Sequence, residues 1–195
     1  MDNLDIDIKT RPGRKSRCIL ILGKPGTGKS TLAYKLMKEY GRGLMVLPSY
    51  DDWADILPEL DINCPDSYNY NGVKHHVYNT DNDFYYIYNM YHNGIACFDD
   101  VRAYIPSNFD YSHFKKMLIR PRQRMLDVII MAHGFSEVPP KLFTFITDYV
   151  IMDIEDSPDI RKKYLSGKLD ILTKTVDFVK SKAHNNPHYF KWLQL

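Results

Sequence analysis

The stretch from Gly23 to Ser30 reads GKPGTGKS and fills every fixed position of G-x-x-x-x-G-K-S/T. Each position answers to what holding a polyphosphate requires. Gly23, Gly26 and Gly28 let the backbone bend, so that successive N–H groups point inward at phosphate oxygens. Lys24, Pro25 and Thr27 fill the cradle between them. A helix starting near Lys29 turns the positive end of its dipole on the same anion. Lys29 supplies a mobile ammonium for β- and γ-phosphates, the Ser30 hydroxyl is a ligand for Mg²⁺, and Thr31 is placed for the α-phosphate. A glycine turn before a helix can also be bare punctuation. Here an apolar run precedes the loop and an amphipathic pattern follows it, the setting that nucleotide binding demands.

A second chemical group stands at residues 95–100, IACFDD. Four apolar residues place this strand at the sheet centre, and two carboxylates emerge at its C-terminal end, where ligand sites of open α/β sheets lie. Asp99 is the candidate for holding Mg²⁺ through water, and Asp100 for orienting or polarising an attacking water. A solvated acidic pair on an exposed strand end is the plain alternative, and the phosphate loop upstream argues against it. The pair also separates mechanisms. Phosphoryl transfer to a small acceptor has no use for a water-activating carboxylate beside the metal aspartate, whereas hydrolysis has.

These groups need elements to hold them. Residues 17–22 read as a buried strand, and 32–40 carry apolar residues at helical spacing with Gly41 as the stop. Strands are predicted over 44–47, 73–78, 127–132 and 149–154. Helices are predicted over 52–60, 81–92 (capped by Asp81 or Asp83), 111–119 and from 139 to 145. Apolar strands alternating with helices predict an α/β fold: a central, mostly parallel sheet with helices on both faces. The 195 residues divide into an N-terminal segment (1–16), a core domain (17–155) and a basic C-terminal extension (156–195) packed on or beside the core. No apolar run approaches the roughly 18 residues of a membrane span, and the acidic start, residues 1–9, lacks the apolar stretch of a signal peptide. Cys18, Cys64 and Cys97 form no CxxC pair, and His184 and His188 lack the partners of a zinc site.

In this order and spacing, GKPGTGKS, FDDVRAYIP and RPRQRMLDVIIMAHGFSEVP resemble the FtsK/HerA superfamily of P-loop ATPases (ASCE type) over residues 17–154. Within it they resemble the small genome-packaging ATPases of viruses with internal membranes. Filamentous-phage assembly ATPases of the Zot type are similar in the same stretch. The resemblance implies ATP and Mg²⁺ as cofactors and a homo-oligomeric ring that moves double-stranded DNA, with capsid or membrane-vertex proteins as further partners, in the host cytoplasm or on the virion. Residue by residue, it makes Lys29 and Ser30 the Walker A pair and Asp99 the Walker B aspartate. Asp100 stands where the family has a catalytic Glu one methylene longer, and His133 where it has a sensor Gln or Asn. Arg122 matches the family's arginine before the sensor strand, a finger acting in trans on a neighbour's nucleotide, with Arg124 and Arg120 as rivals. Read without the resemblance, the three arginines are equally a basic patch. Three other readings stand beside the motor: a filamentous-phage assembly or export ATPase of the Zot type, a nucleotide or small-molecule kinase, and a nucleotide-gated adaptor without catalysis.

The net charge of +2 excludes a uniformly basic protein, but it hides segregation. Residues 48–70 hold six acids and no Lys or Arg, residues 115–124 five Lys or Arg and no acid, and residues 161–195 eight Lys or Arg against two acids. Basic segments bind phosphate backbones without reading sequence, and they equally serve as solvated helix faces. Tyr85, Tyr86, Tyr88 and Tyr91 fall at helical spacing, which suits half-buried packing or stacking on bases.

Overall fold

The computed structural model describes residues 16–103, 112–119 and 121–195. Of the N-terminal segment, only Ser16 is among them. Seven strands form one sheet: β1 (Cys18–Leu22), β2 (Arg42–Leu47), β3 (Gly72–Val77), β4 (Gly94–Phe98), β5 (Leu126–Ala132), β6 (Asp148–Ile151) and β7 (Lys191–Gln194). Their order is β3-β2-β4-β5-β1-β6-β7. Every pair is parallel except β6 with β7, which is antiparallel. Strands β1, β4 and β5 are buried along their whole length, as apolar runs covered on both faces must be.

Alternation of side chains along each strand splits the core in two. Ile19, Ile21, Ile129 and Met131 face α1 (Lys29–Tyr40) and α2 (Asp52–Ile56), through Leu32, Ala33, Leu36, Met37 and Ala54. Leu20, Leu22, Val128 and Ile130 face the other layer. There α3 (Asp81–Met90), α4 (Ser112–Ile119) and α5 (Leu169–Ala183) contribute Phe84, Ile87, Phe114, Met117, Leu172 and Val176.

Register brings the chemistry to one edge. Leu22 pairs with Ala132, so the phosphate loop and His133 leave the sheet side by side, and Phe98 pairs with Ile130, so Asp99 and Asp100 leave it beside them. Strand β5 thus lies between the strand that feeds the phosphate loop and the strand that ends in carboxylates.

Some elements differ from the sequence expectation. The helix over 52–60 stops at Ile56 because Leu57 is extended (φ −97°, ψ 144°) ahead of Pro58. Helix α3 is capped by Thr80, and Asp83 closes the capping box from the third helical position. The predicted helix from 139 is a 3-10 turn, Pro140–Thr144. Beyond residue 155 the chain supplies α5 and β7, and Trp192 Nε1 of β7 donates to the buried Asp148 carboxylate at 2.9 Å.

Phe84, Phe98 and Phe114 form an aromatic triangle with centroids 4.8–5.9 Å apart, which ties α3 and α4 to the last residue before the carboxylates. Phe114→Ala empties a fully buried site and is expected to cost about 3–5 kcal/mol, read as a lower urea midpoint with an unchanged slope.

Candidate functional site

The phosphate loop is shaped by its glycines. Gly28 sits at φ 93°, in the left-handed region, and is the N-cap of α1 without any side-chain cap. The first N–H groups of the helix are therefore open toward an anion, with no acid in the first turn to compete. At Gly23 a Cβ would lie 2.5 Å from Thr27 Oγ1, so only glycine lets the loop close on itself. Thr27 Oγ1 donates to Lys24 O at 2.8 Å, and Lys24 Nζ pairs with Asp153 at 2.9 Å.

Lys29 is buried at 7% exposure, and its ammonium donates to Gly23 O (2.6 Å), Lys24 O (3.1 Å) and His133 Nδ1 (3.2 Å). Those contacts match the three N–H groups an ammonium has. Because it can only donate, Nδ1 of His133 acts as acceptor, which puts the imidazole proton on Nε2. Burial pulls the Lys29 pKa below the usual lysine value, and Asp99, Asp100 and Glu137 oppose that shift. Ser30 Oγ donates to Asp99 Oδ2 at 3.2 Å. Burial pushes the Asp99 carboxyl up, against the Ser30 hydrogen bond and the Lys29 charge. Asp100 takes a left-handed backbone (φ 45°), and its buried Oδ1 has no hydrogen-bond partner among the described residues.

The structure therefore gathers Lys29, Ser30, Asp99, Asp100 and His133 at one place. It adds a residue that the sequence reading passed over. Glu137 ends a 3-10 turn (Phe135–Glu137) just after β5. Its Oε2 accepts the backbone N–H of His133 at 2.9 Å, and its Oε1 accepts Arg102 Nη1 at 2.9 Å. Donor atoms of Asp100, His133 and Glu137 lie within 4.8 Å of one another. One signal was available: Glu137 is the only acid in residues 128–147. His188 was also unforeseen, and its Nδ1 lies 3.1 Å from Thr27 O in the phosphate loop.

Arg124 is not gathered there. It precedes β5 whereas His133 follows it, so roughly 23 Å of strand separates them at about 3.3 Å per residue. Its guanidinium donates to Asn89 O at 2.8 Å and stacks on the Tyr88 ring at 4.5 Å. The backbone of Arg122 belongs to the same 3-10 turn; its side chain, and Arg120 altogether, lie outside the described residues.

A cavity of about 260 Å³ borders the loop, between Lys24, Pro25, His133, Glu137 and Asp156. A second, of about 650 Å³ beside His76 and Asp83, touches none of the loop residues. Chemistry rather than size points to the smaller one, since only it joins the loop to His133 and Glu137.

Solved structures share this architecture. The genome packaging NTPase B204 from Sulfolobus turreted icosahedral virus 2, in complex with AMPPCP, superposes with a TM-score of 0.68 at 12% identity, covering 91% of this chain and 92% of that one. The same NTPase in complex with AMP gives 0.69 at 11% identity, with 92% of each chain covered. B204 of Sulfolobus turreted icosahedral virus, a DNA-packaging ATPase, gives 0.67 at 13% identity, covering 91% of this chain and 92% of that one. This chain has the P-loop NTPase fold. The zonular occludens toxin N-terminal domain from Neisseria meningitidis matches 70% of the chain and 76% of its own length, at 16% identity and a TM-score of 0.46. No protein-family model matches the chain, and no curated relative matches it in sequence. No described helix is long and apolar enough to cross a membrane.

The raised Asp99 pKa yields a stability prediction. Its neutral form is tolerated below the ordinary Asp pKa of about 3.9, and the cost of ionising it in the fold builds as pH rises through the raised value. Asp99→Asn removes the charge and keeps the shape. It is expected to raise the thermal midpoint at about pH 7 and to leave it unchanged near pH 3.5, as melts at the two pH values will report.

Proposed function

We propose that this protein is a Mg²⁺-dependent ATPase that drives double-stranded DNA, in genome packaging into a viral capsid. The observation that carries the hydrolytic part is the convergence of Lys29, the Ser30–Asp99 contact and the unpartnered Oδ1 of Asp100 at one sheet edge. B204, which shares the fold, is named a genome packaging NTPase and has been solved with AMPPCP and ATP-gammaS.

The residues fit a divalent cation. Asp99 is a half-buried carboxylate whose pKa is raised by partial burial, and a hydroxyl already touches it. Ser30 and Asp99 would hold Mg²⁺, which when bound neutralises phosphate charge. ATP places its phosphates on the open N–H groups of the loop. Lys29 exchanges Gly23 O and Lys24 O for β- and γ-oxygens, which are stronger acceptors because they are charged. Asp100 accepts a hydrogen from the attacking water. The water oxygen bonds the γ-phosphorus, and the bond to the β–γ bridging oxygen breaks. Its electron pair leaves on ADP, and the water's proton passes through Asp100 to solvent. His133 reports on the site through Nδ1, which loses its donor once Lys29 turns to the phosphates.

In a ring, Arg122 or Arg124 of a neighbour offers its fork of N–H donors to the γ-phosphate as charge develops. Lys115 and Lys116 offer the DNA backbone positive charge, and the work is done in the host cytoplasm or on the virion.

Lys29→Ala is expected to remove steady-state ATPase, by at least about 100-fold. Turnover at the unmutated rate would mean that the site lies elsewhere. Double-stranded DNA is expected to stimulate the unmutated chain at low salt and less at high salt. A flat response would separate the ATPase from any DNA motor. Arg122→Ala is expected to bind nucleotide without hydrolysing it. Mixing it with Asp100→Ala is expected to recover part of the rate through mixed interfaces, and a mixture as inactive as its components would refute a finger in trans.

A further inference from the structure

Resting on the hydrolytic reading above, we propose that Glu137 is a catalytic residue, the second acceptor that fixes the attacking water. One carboxylate leaves a water free to rotate about a single hydrogen bond. Around the open side of His133 there is a partner for it. Oδ1 of Asp100 is buried and has no hydrogen-bond partner among the described residues, so its acceptor capacity is unused. Each oxygen of Glu137 accepts one hydrogen bond, and a carboxylate oxygen takes two, so one lone pair remains on each. Ligand atoms of Asp100, His133 and Glu137 lie within 4.8 Å of one another, a span short enough for one water to touch all three side chains with hydrogen bonds of about 2.8 Å. A water that gives one hydrogen to Asp100 and the other to Glu137 has both O–H directions fixed. Its lone pairs then point away from the carboxylates, toward the loop that holds the γ-phosphate.

Glu137 is built to stay in place for this. Its turn bonds back to the His133 N–H, and Arg102, two residues after Asp100, grips its other oxygen. The Arg102–Glu137 pair thereby ties the segment after β4 to the segment after β5. The turn itself is pinned from behind: Asp156 accepts Ser136 N–H at 2.7 Å, and Arg161 Nε donates to Phe135 O at 3.0 Å. Arg102 is 63% exposed, so its pair contributes little to stability, and its service is to orientation.

The test is Glu137→Gln and Arg102→Ala in the full chain, measured by steady-state ATPase, AMPPCP affinity and thermal melting. Gln has one oxygen for two donors and cannot hold both. Expected for Glu137→Gln is a fall in kcat of about 100-fold with KM and AMPPCP affinity unchanged and Tm only slightly lowered. For Arg102→Ala a smaller fall in kcat is expected, again without loss of affinity. Should Glu137→Gln fail to fold, Arg102→Ala decides alone: a loss of kcat at constant KM supports the proposal, and the unmutated kcat overturns it. An unmutated kcat in Glu137→Gln overturns it, as does a kcat restored by raised Mg²⁺, which would make the trio a cation site. In both cases the ATPase reading survives. If the unmutated chain itself hydrolyses no ATP, that reading falls and this one with it.

Discussion

A buried ammonium governs this molecule. Lys29 is 7% exposed, and an unpaired charge so placed would cost several kcal/mol. Its neighbours are arranged around that demand. Two loop carbonyls and one imidazole nitrogen meet its three N–H groups, and Asp99, Asp100 and Glu137 hold it charged against the pull of burial. The Gly23 and Lys24 carbonyls can face inward only because the loop turns as tightly as glycine allows. The same carboxylates set a second demand. A triphosphate arriving beside them brings more negative charge than one lysine balances, so nucleotide and divalent cation are expected to enter together.

Strand β5 makes this possible. Lying between β1 and β4, it delivers His133 to Lys29 on one side and Glu137 to Asp100 on the other. The C-terminal part of the chain then braces the edge from outside. Lys24 is tied to Asp153, the turn after β5 to Asp156 and Arg161, and the Thr27 carbonyl to His188. The loop is thus gripped by residues far from it in sequence, including ones in the basic extension.

What the sequence made legible follows from how local each cause is. GKPGTGKS and IACFDD carry their geometry in their own residue types, so the loop, the buried strands and the edge at which Asp99 and Asp100 emerge could be read directly. Strand β7 could not. KWLQ is an edge strand, only partly buried, and it is held by antiparallel pairing with β6 and by Trp192 bonded to Asp148, partners 40 or more residues away. Thr80 was passed over as a cap because Asp81 and Asp83 look equally able, and the capping box that settles it is geometric. Glu137 carries no motif. Its role depends on a turn that folds back on His133 and on an arginine 35 residues earlier.

The separation of charge along the chain acquires a direction from the sheet. Asp51, Asp52 and Asp55 follow the C-terminal end of β2, on the nucleotide edge, and Asp51 adds to the field that raises Asp99. Arg124 precedes β5, on the opposite edge, roughly 23 Å from His133 by strand length. An arginine side chain spans about 7 Å, a length of the order of two extended residues, so Arg124 has no path to the nucleotide of its own subunit. It can reach one only across an interface that sets the N-terminal edge of one sheet near the C-terminal edge of the next. Such an interface joins two different surfaces, and repeated with closure it gives a ring. Its cost is already visible within the subunit: Arg124 must first give up Asn89 O and the face of Tyr88. If the proposed ring forms, its assembly competes with a contact the free subunit makes, and the proposed finger is withheld until a neighbour is in place.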